Sequence, residues 1–109
     1  MKIHTVSGYS EVGRNMTCVE INGEAVILDM GLNLEEYIKI KGDDEFTVFS
    51  NKQLIKAEAI PDDSVIKKIQ NNILAIIPSH GHLDHIGAIP FLSGKYNCPV
   101  IATPYTASV

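Results

Sequence analysis

Between Ser79 and Pro90 the sequence reads SHGHLDHIGAIP, and three of the chain's four histidines fall within six positions there: His80, His82 and His85, around Asp84. Neutral imidazole nitrogens and carboxylate oxygens are good ligands for zinc and similar divalent ions. In an extended loop His80 and His82 point the same way and can grip one ion. Asp84 and His85 are adjacent and cannot both join them. A turn into helix at Asp84 swings this second pair toward a neighbouring position. Two ions with two ligands each is therefore better geometry than four ligands closing on one. Ions about 3.5–4 Å apart can share a hydroxide and clamp both the attacking and the leaving oxygen of a displacement.

The ligand count is short of a complete centre. A hydrolytic zinc takes about three protein ligands plus water. Two ions then need roughly six, or five if one carboxylate bridges, and the cluster offers four. No Asp, Glu or His follows His85, and Lys95 is the only charged residue from 86 to 109. Among the upstream acids Asp29, before Gly31, is the best placed. It reads either as a solvated turn carboxylate or as a group that orients a ligand histidine. His4 stands alone in a strand-like segment and reads as structural or surface.

The elements that must position the cluster can be read from pattern. ILAII (73–77) is a continuous apolar run, the type of a buried central strand. Pro78 stops it, so the histidines lie in the loop at its C-terminal end, where α/β sheets usually place their sites. Upstream, residues 2–6 suit a first strand. MTCVEI (16–21) and EAVILDM (24–30) flank Asn22-Gly23, the strongest short hairpin signal. LEEYIKIK (34–41) reads as a helical turn or an edge strand, Gly42-Asp43-Asp44 as a turn, and EFTVF (45–49) as a strand. Pro61-Asp62-Asp63 is another turn, and Ser64 suits the cap of a short helix over 65–70. Pro90 favours a helix over 90–96. PVIAT (99–103) reads as the next strand, and Thr103-Pro104 as the start of a helix that the chain leaves at about its second turn.

Composition bounds the rest. The chain has 109 residues, a net charge of −4, 45% hydrophobic residues and two cysteines. That is one small domain of soluble type at most. No apolar run approaches a membrane span and the N-terminus lacks a secretory pattern, so a cytoplasmic setting is expected. Cys18 and Cys98 have no CxxC spacing and read as two reduced thiols. The acidic balance counts mildly against a general nucleic-acid binder without forbidding an RNA substrate.

His80-x-His82-x-Asp84-His85 resembles the signature of the metallo-β-lactamase fold superfamily. Gly87-Ala88-Ile89-Pro90 resembles the nucleic-acid-processing β-CASP branch, as does GYSEVGRNMTCVEING (8–23). Asn15-Met16 is most similar to the ribonuclease J group of that branch. ILDMGL (27–32) matches the family's first aspartate motif and favours the ligand-orienting role for Asp29. The resemblance implies an α/β fold, the N-terminal part of an αββα sandwich, incomplete here. Residues 1–109 are then expected to be the truncated N-terminal portion of that domain, with the β-CASP cap and the closing metal ligands absent.

It further implies a two-zinc ribonuclease acting from the 5′ end of RNA, with internal cutting as a second mode and manganese or magnesium as substitute ions. His80 and His82 would bind the first ion, Asp84 and His85 the second. A hydroxide between them would attack the phosphodiester, with Asp84 able to take a proton. Gly8, Gly13, Arg14 and Asn15 would form a loop at the rim that contacts phosphate, or else simply a tight turn. RNA is the expected partner, no membrane is, and a homo-oligomer is open for the full-length protein. The competing readings are a small-molecule thioesterase or lactonase on the same fold, and an inert metal- or partner-binding module. Residues 1–109 alone are expected to bind zinc weakly and to show no nuclease turnover.

Overall fold

Asn22 and Gly23 both take positive φ, 52° and 82°. That combination forms the tight turn whose twist matches paired antiparallel strands. Strand β2 (Met16–Ile21) and strand β3 (Glu24–Leu28) pair across it. Strand β1 (Lys2–Ser7) pairs antiparallel with the far edge of β2, through an irregularity between Thr5 and Ser7. Strand β4 (Ile73–Ile77) then runs parallel to β3, giving the order β1-β2-β3-β4. The computed structural model describes residues 1–9, 13–42, 48–79 and 81–104.

One face of this sheet is dry. Met16, Cys18, Ala25, Ile27, Ile73 and Ile76 are buried there. Burial of each large aliphatic side chain contributes about 1.5–3 kcal/mol. The β3–β4 register slips between Ala25 and Val26. That slip lets Ile73 and Ile76, three residues apart, both reach the core. The expectation that ILAII is a buried central strand holds for burial at Ile73, Ala75 and Ile76, but Leu74 is 53% exposed and β4 stands at the end of the strand order. Burial pushes the Cys18 thiol up to about 11, with the Glu20 carboxylate adding to the shift. Both cysteines are free thiols.

The covering elements answer several open readings. LEEYIKIK is helix α1 (Leu34–Lys41). Asn33 accepts the Glu36 N–H at 3.2 Å, Glu35 and Glu36 sit in the first turn, and Lys39 and Lys41 close the last. Each charge lies at the helix end whose partial charge it complements. Helix α2 (Asn51–Lys56) was not expected. Its signal is Ser50-x-x-Gln53, a reciprocal capping box, and the helix buries Leu54. Of the expected strand 45–49, residues 45–47 lie outside the described residues, and Val48 and Phe49 belong to no strand.

The expected Ser64-capped helix is a 3-10 helix, Asp63–Asn72, capped by Asp62 instead. The Ser64 backbone N–H and hydroxyl both donate to the Asp62 carboxylate, at 3.1 and 2.6 Å. Those bonds hold the Asp62 carboxyl below its ordinary value. The single helix expected over 90–96 is divided into helix α4 (Ile89–Leu92) and a 3-10 turn, Ser93–Tyr96. Asn97, in the left-handed region, ends it. PVIAT makes only the start of a strand, where Val100 bridges Ile76 in parallel. Pro104 is helical and residues 105–109 lie outside the described set. Among the described residues no helix is long and apolar enough to cross a membrane.

One buried carboxylate ties these covering pieces together. Asp63 accepts from Lys95 Nζ at 2.9 and 3.1 Å and from the Tyr96 hydroxyl at 2.5 Å. Replacing Asp63 by alanine strands the buried Tyr96 hydroxyl and removes a charge-assisted bond. The expected loss is about 2–3 kcal/mol in a denaturant titration. An unchanged midpoint would show that water takes over for Asp63.

Candidate metal centre

The parallel pairing of β3 and β4 brings their C-terminal ends side by side, with Leu28 opposite Ile77. Asp29 follows at φ 65°, its N–H still bonded to the Ile77 carbonyl at 3.2 Å. Aspartate is among the few residues that enter this left-handed region readily. Ser79, leaving β4, meets the Asp29 carboxylate twice. Its N–H donates to Oδ1 at 2.6 Å and its hydroxyl to Oδ2 at 3.0 Å.

His85 is the third member. Its Nδ1 lies 2.8 Å from Asp29 Oδ2 and 3.2 Å from Ser79 Oγ. His85 belongs to helix α3 (Leu83–Ile86), one turn whose N-cap is His82. The segment 29–32 runs beside this turn. Met30 N–H donates to the His85 carbonyl at 2.9 Å and Leu32 N–H to the Leu83 carbonyl at 2.8 Å. Ala88 N–H returns to the Met30 carbonyl at 2.9 Å. The His85 ring is thus fixed by main-chain bonds below it and a carboxylate beside it.

This arrangement has a chemical consequence. A carboxylate on Nδ1 selects the tautomer with the proton there and leaves a lone pair on Nε2. That Nε2 faces Asp84 Oδ2 at 3.5 Å. Two ligands at about 2.0–2.1 Å from one zinc lie roughly 3.3–3.5 Å apart at a tetrahedral angle. An imidazole nitrogen and a carboxylate oxygen at this separation suit one divalent ion. His82 is exposed on the same turn. His80 lies outside the described residues, and no set of three or more His, Cys, Asp or Glu groups converges among those described.

The expected rim loop divides. Gly13 is buried and lines an open groove of about 730 Å³ together with Leu32, Asn33, Glu35, His82 and Asp84. Gly8 borders a second hollow of about 360 Å³ that Tyr9, Asn15, Asp29 and Ser79 also line. The Arg14 guanidinium reaches the Ile60 carbonyl at 3.4 Å. The Asn15 side chain donates to the Asp84 carbonyl at 2.8 Å. The structure therefore directs both of these side chains to protein carbonyls. Sequence reading passed over Ser79, although it stands inside the histidine segment. Its only local signal is a hydroxyl directly after the strand-ending Pro78.

Residues 9–108 match the family model described as the metallo-beta-lactamase superfamily. Ribonuclease J of Methanocaldococcus jannaschii is 48% identical over 106 residues, which is 97% of this chain and 23% of that protein. Ribonuclease J of Pyrococcus abyssi is 51% identical over 107 residues, again 97% and 23%. Ribonuclease J of Mycoplasma genitalium is 33% identical over 107 residues, 98% of this chain and 16% of that protein. The chain thus spans under a quarter of the length of these relatives.

Proposed function

The chain belongs to the metallo-beta-lactamase superfamily, which implies divalent metal ions, and from that premise we propose that the full-length protein hydrolyses RNA phosphodiesters. The observation that carries the proposal is the His85 ring. Asp29 fixes it through Nδ1, and its Nε2 faces Asp84 Oδ2 at 3.5 Å. The RNA substrate is supported by the similarity to proteins named ribonuclease J. Zinc is the proposed ion, with manganese or magnesium as substitutes, because imidazole and carboxylate ligands suit all three to different degrees.

His85 and Asp84 would hold one ion, and His82 with His80 the other. When bound, the ions supply positive charge against the phosphoryl oxygens and make a water acidic enough to attack at neutral pH. Asp29, bonded to Nδ1, orients the ring so that Nε2 points toward the ion. Ser79 keeps Asp29 from turning away by donating to both of its oxygens. Asp84 would take the proton of the attacking water at its other carboxylate oxygen. The groove beside Gly13 and His82 takes the RNA backbone.

The proposed mode is removal of nucleotides from the 5′ end, with internal cutting as a second activity. The test is incubation of the full-length protein and zinc or manganese with 5′-monophosphorylated RNA, alongside an acyl ester. Release of mononucleotides from the 5′ end, stopped by a chelator, is expected. Ester turnover with intact RNA would replace the proposal by a small-molecule hydrolase.

A further inference from the structure

The turn that carries Asp84 and His85 is held in an unusual way. In a continuing α-helix the Asp84 carbonyl would accept from the Ala88 N–H, four residues on. Here that N–H goes to the Met30 carbonyl at 2.9 Å. The Asp84 carbonyl would be left without its helical partner. Asn15 supplies two donors in its place: its backbone N–H at 3.2 Å and its side-chain Nδ2 at 2.8 Å. The Asn15 carbonyl in turn accepts the Gly31 N–H at 2.9 Å.

The neighbours leave Asn15 little freedom. A Cβ on Gly8 would stand 2.7 Å from Asn15 Cα, and one on Gly31 would stand 2.6 Å from Asn15 N. The Ser7 hydroxyl donates to the preceding carbonyl, that of Arg14. The Leu83 and His85 carbonyls accept main-chain N–H groups from Leu32 and Met30, whereas the Asp84 carbonyl also accepts a side-chain donor, that of Asn15.

We propose that Asn15 is a positioning residue of the metal centre, which sets the main chain of Asp84 so that its carboxylate and the His85 ring present their ligand atoms to one ion. This rests on the metal reading above. It assigns Asn15 to the protein's own ligand turn and away from RNA.

The test uses the full-length protein, stripped of metal and titrated calorimetrically with zinc, in the wild type and in Asn15→Ala, Asn15→Asp and Asp84→Ala. Asn15→Asp keeps the side chain's size and removes the donor. Both Asn15 variants are expected to fold, by circular dichroism, and to bind zinc about 10–100-fold more weakly. RNA cleavage should return toward the wild-type kcat at saturating metal. Wild-type zinc affinity in both Asn15 variants, with weakened binding in Asp84→Ala, overturns the role of Asn15 and leaves the metal centre standing. Wild-type affinity in all three variants overturns the metal reading itself. A raised KM for RNA with unchanged zinc affinity overturns the proposal in favour of substrate contact.

Discussion

Replacing His85 by alanine in the full-length protein is expected to lower RNA cleavage by at least about 10³-fold. The ring contributes Nε2 to the proposed ion. Several kcal/mol of transition-state stabilisation come from a correctly held ion, and each 1.36 kcal/mol is tenfold in rate. Asp29→Asn should show the graded version of the same loss. An amide at that position keeps the shape but no longer enforces the Nδ1–H tautomer, so metal affinity should fall about 10–100-fold. Cleavage rates and zinc titrations of the two variants check this. Wild-type cleavage by His85→Ala would remove His85 from the chemistry.

Gly31→Ala is expected to destabilise the protein by at least about 3 kcal/mol, enough to lower soluble yield. The cause is close approach. An added Cβ would stand 1.7 Å from the Asp84 carbonyl oxygen and 2.6 Å from Asn15 N. Both atoms belong to backbone and cannot step aside as a side-chain tip can. Relief of the overlap pushes segment 29–32 off segment 83–88, with loss of the bonds between them. Gly94→Ala is the control, since a Cβ there meets nothing within 4 Å. Its effect should stay within about 0.5 kcal/mol. Equal denaturation midpoints for the two variants would contradict the packing described at Gly31.

What could be read in the sequence was what local chemistry decides. Asn22-Gly23 announces a hairpin because its two positions need positive φ. Pro78 ends β4 because it lacks a ladder donor. The reading failed where two local signals compete. Asp62 and Ser64 are both good caps, and Ser64 loses because its hydroxyl donates to Asp62. Ser50-x-x-Gln53 was legible and overlooked, since EFTVF beside it reads as a strand. PVIAT has the composition of a strand, yet only Val100 is bridged to β4. The bond between Asp29 and His85 spans 56 residues. The segment around Asp29 suggested a partner histidine, but which histidine follows only from the β3–β4 register. Asn15 was noticed as a rim residue, and its bond to the Asp84 carbonyl depends on that same register.

The parallel pairing of β3 and β4 also fixes an order of events in time. The chain from Asp29 to Asn72 must be laid down before the two strands can meet, and closing so long a loop is slow and entropically costly. Asp29, Ser79 and His85 have no common neighbourhood until it closes. Assembly of the ligand turn thus cannot precede completion of the sheet. An ion that prefers the assembled turn draws the folding equilibrium toward the native sheet by mass action.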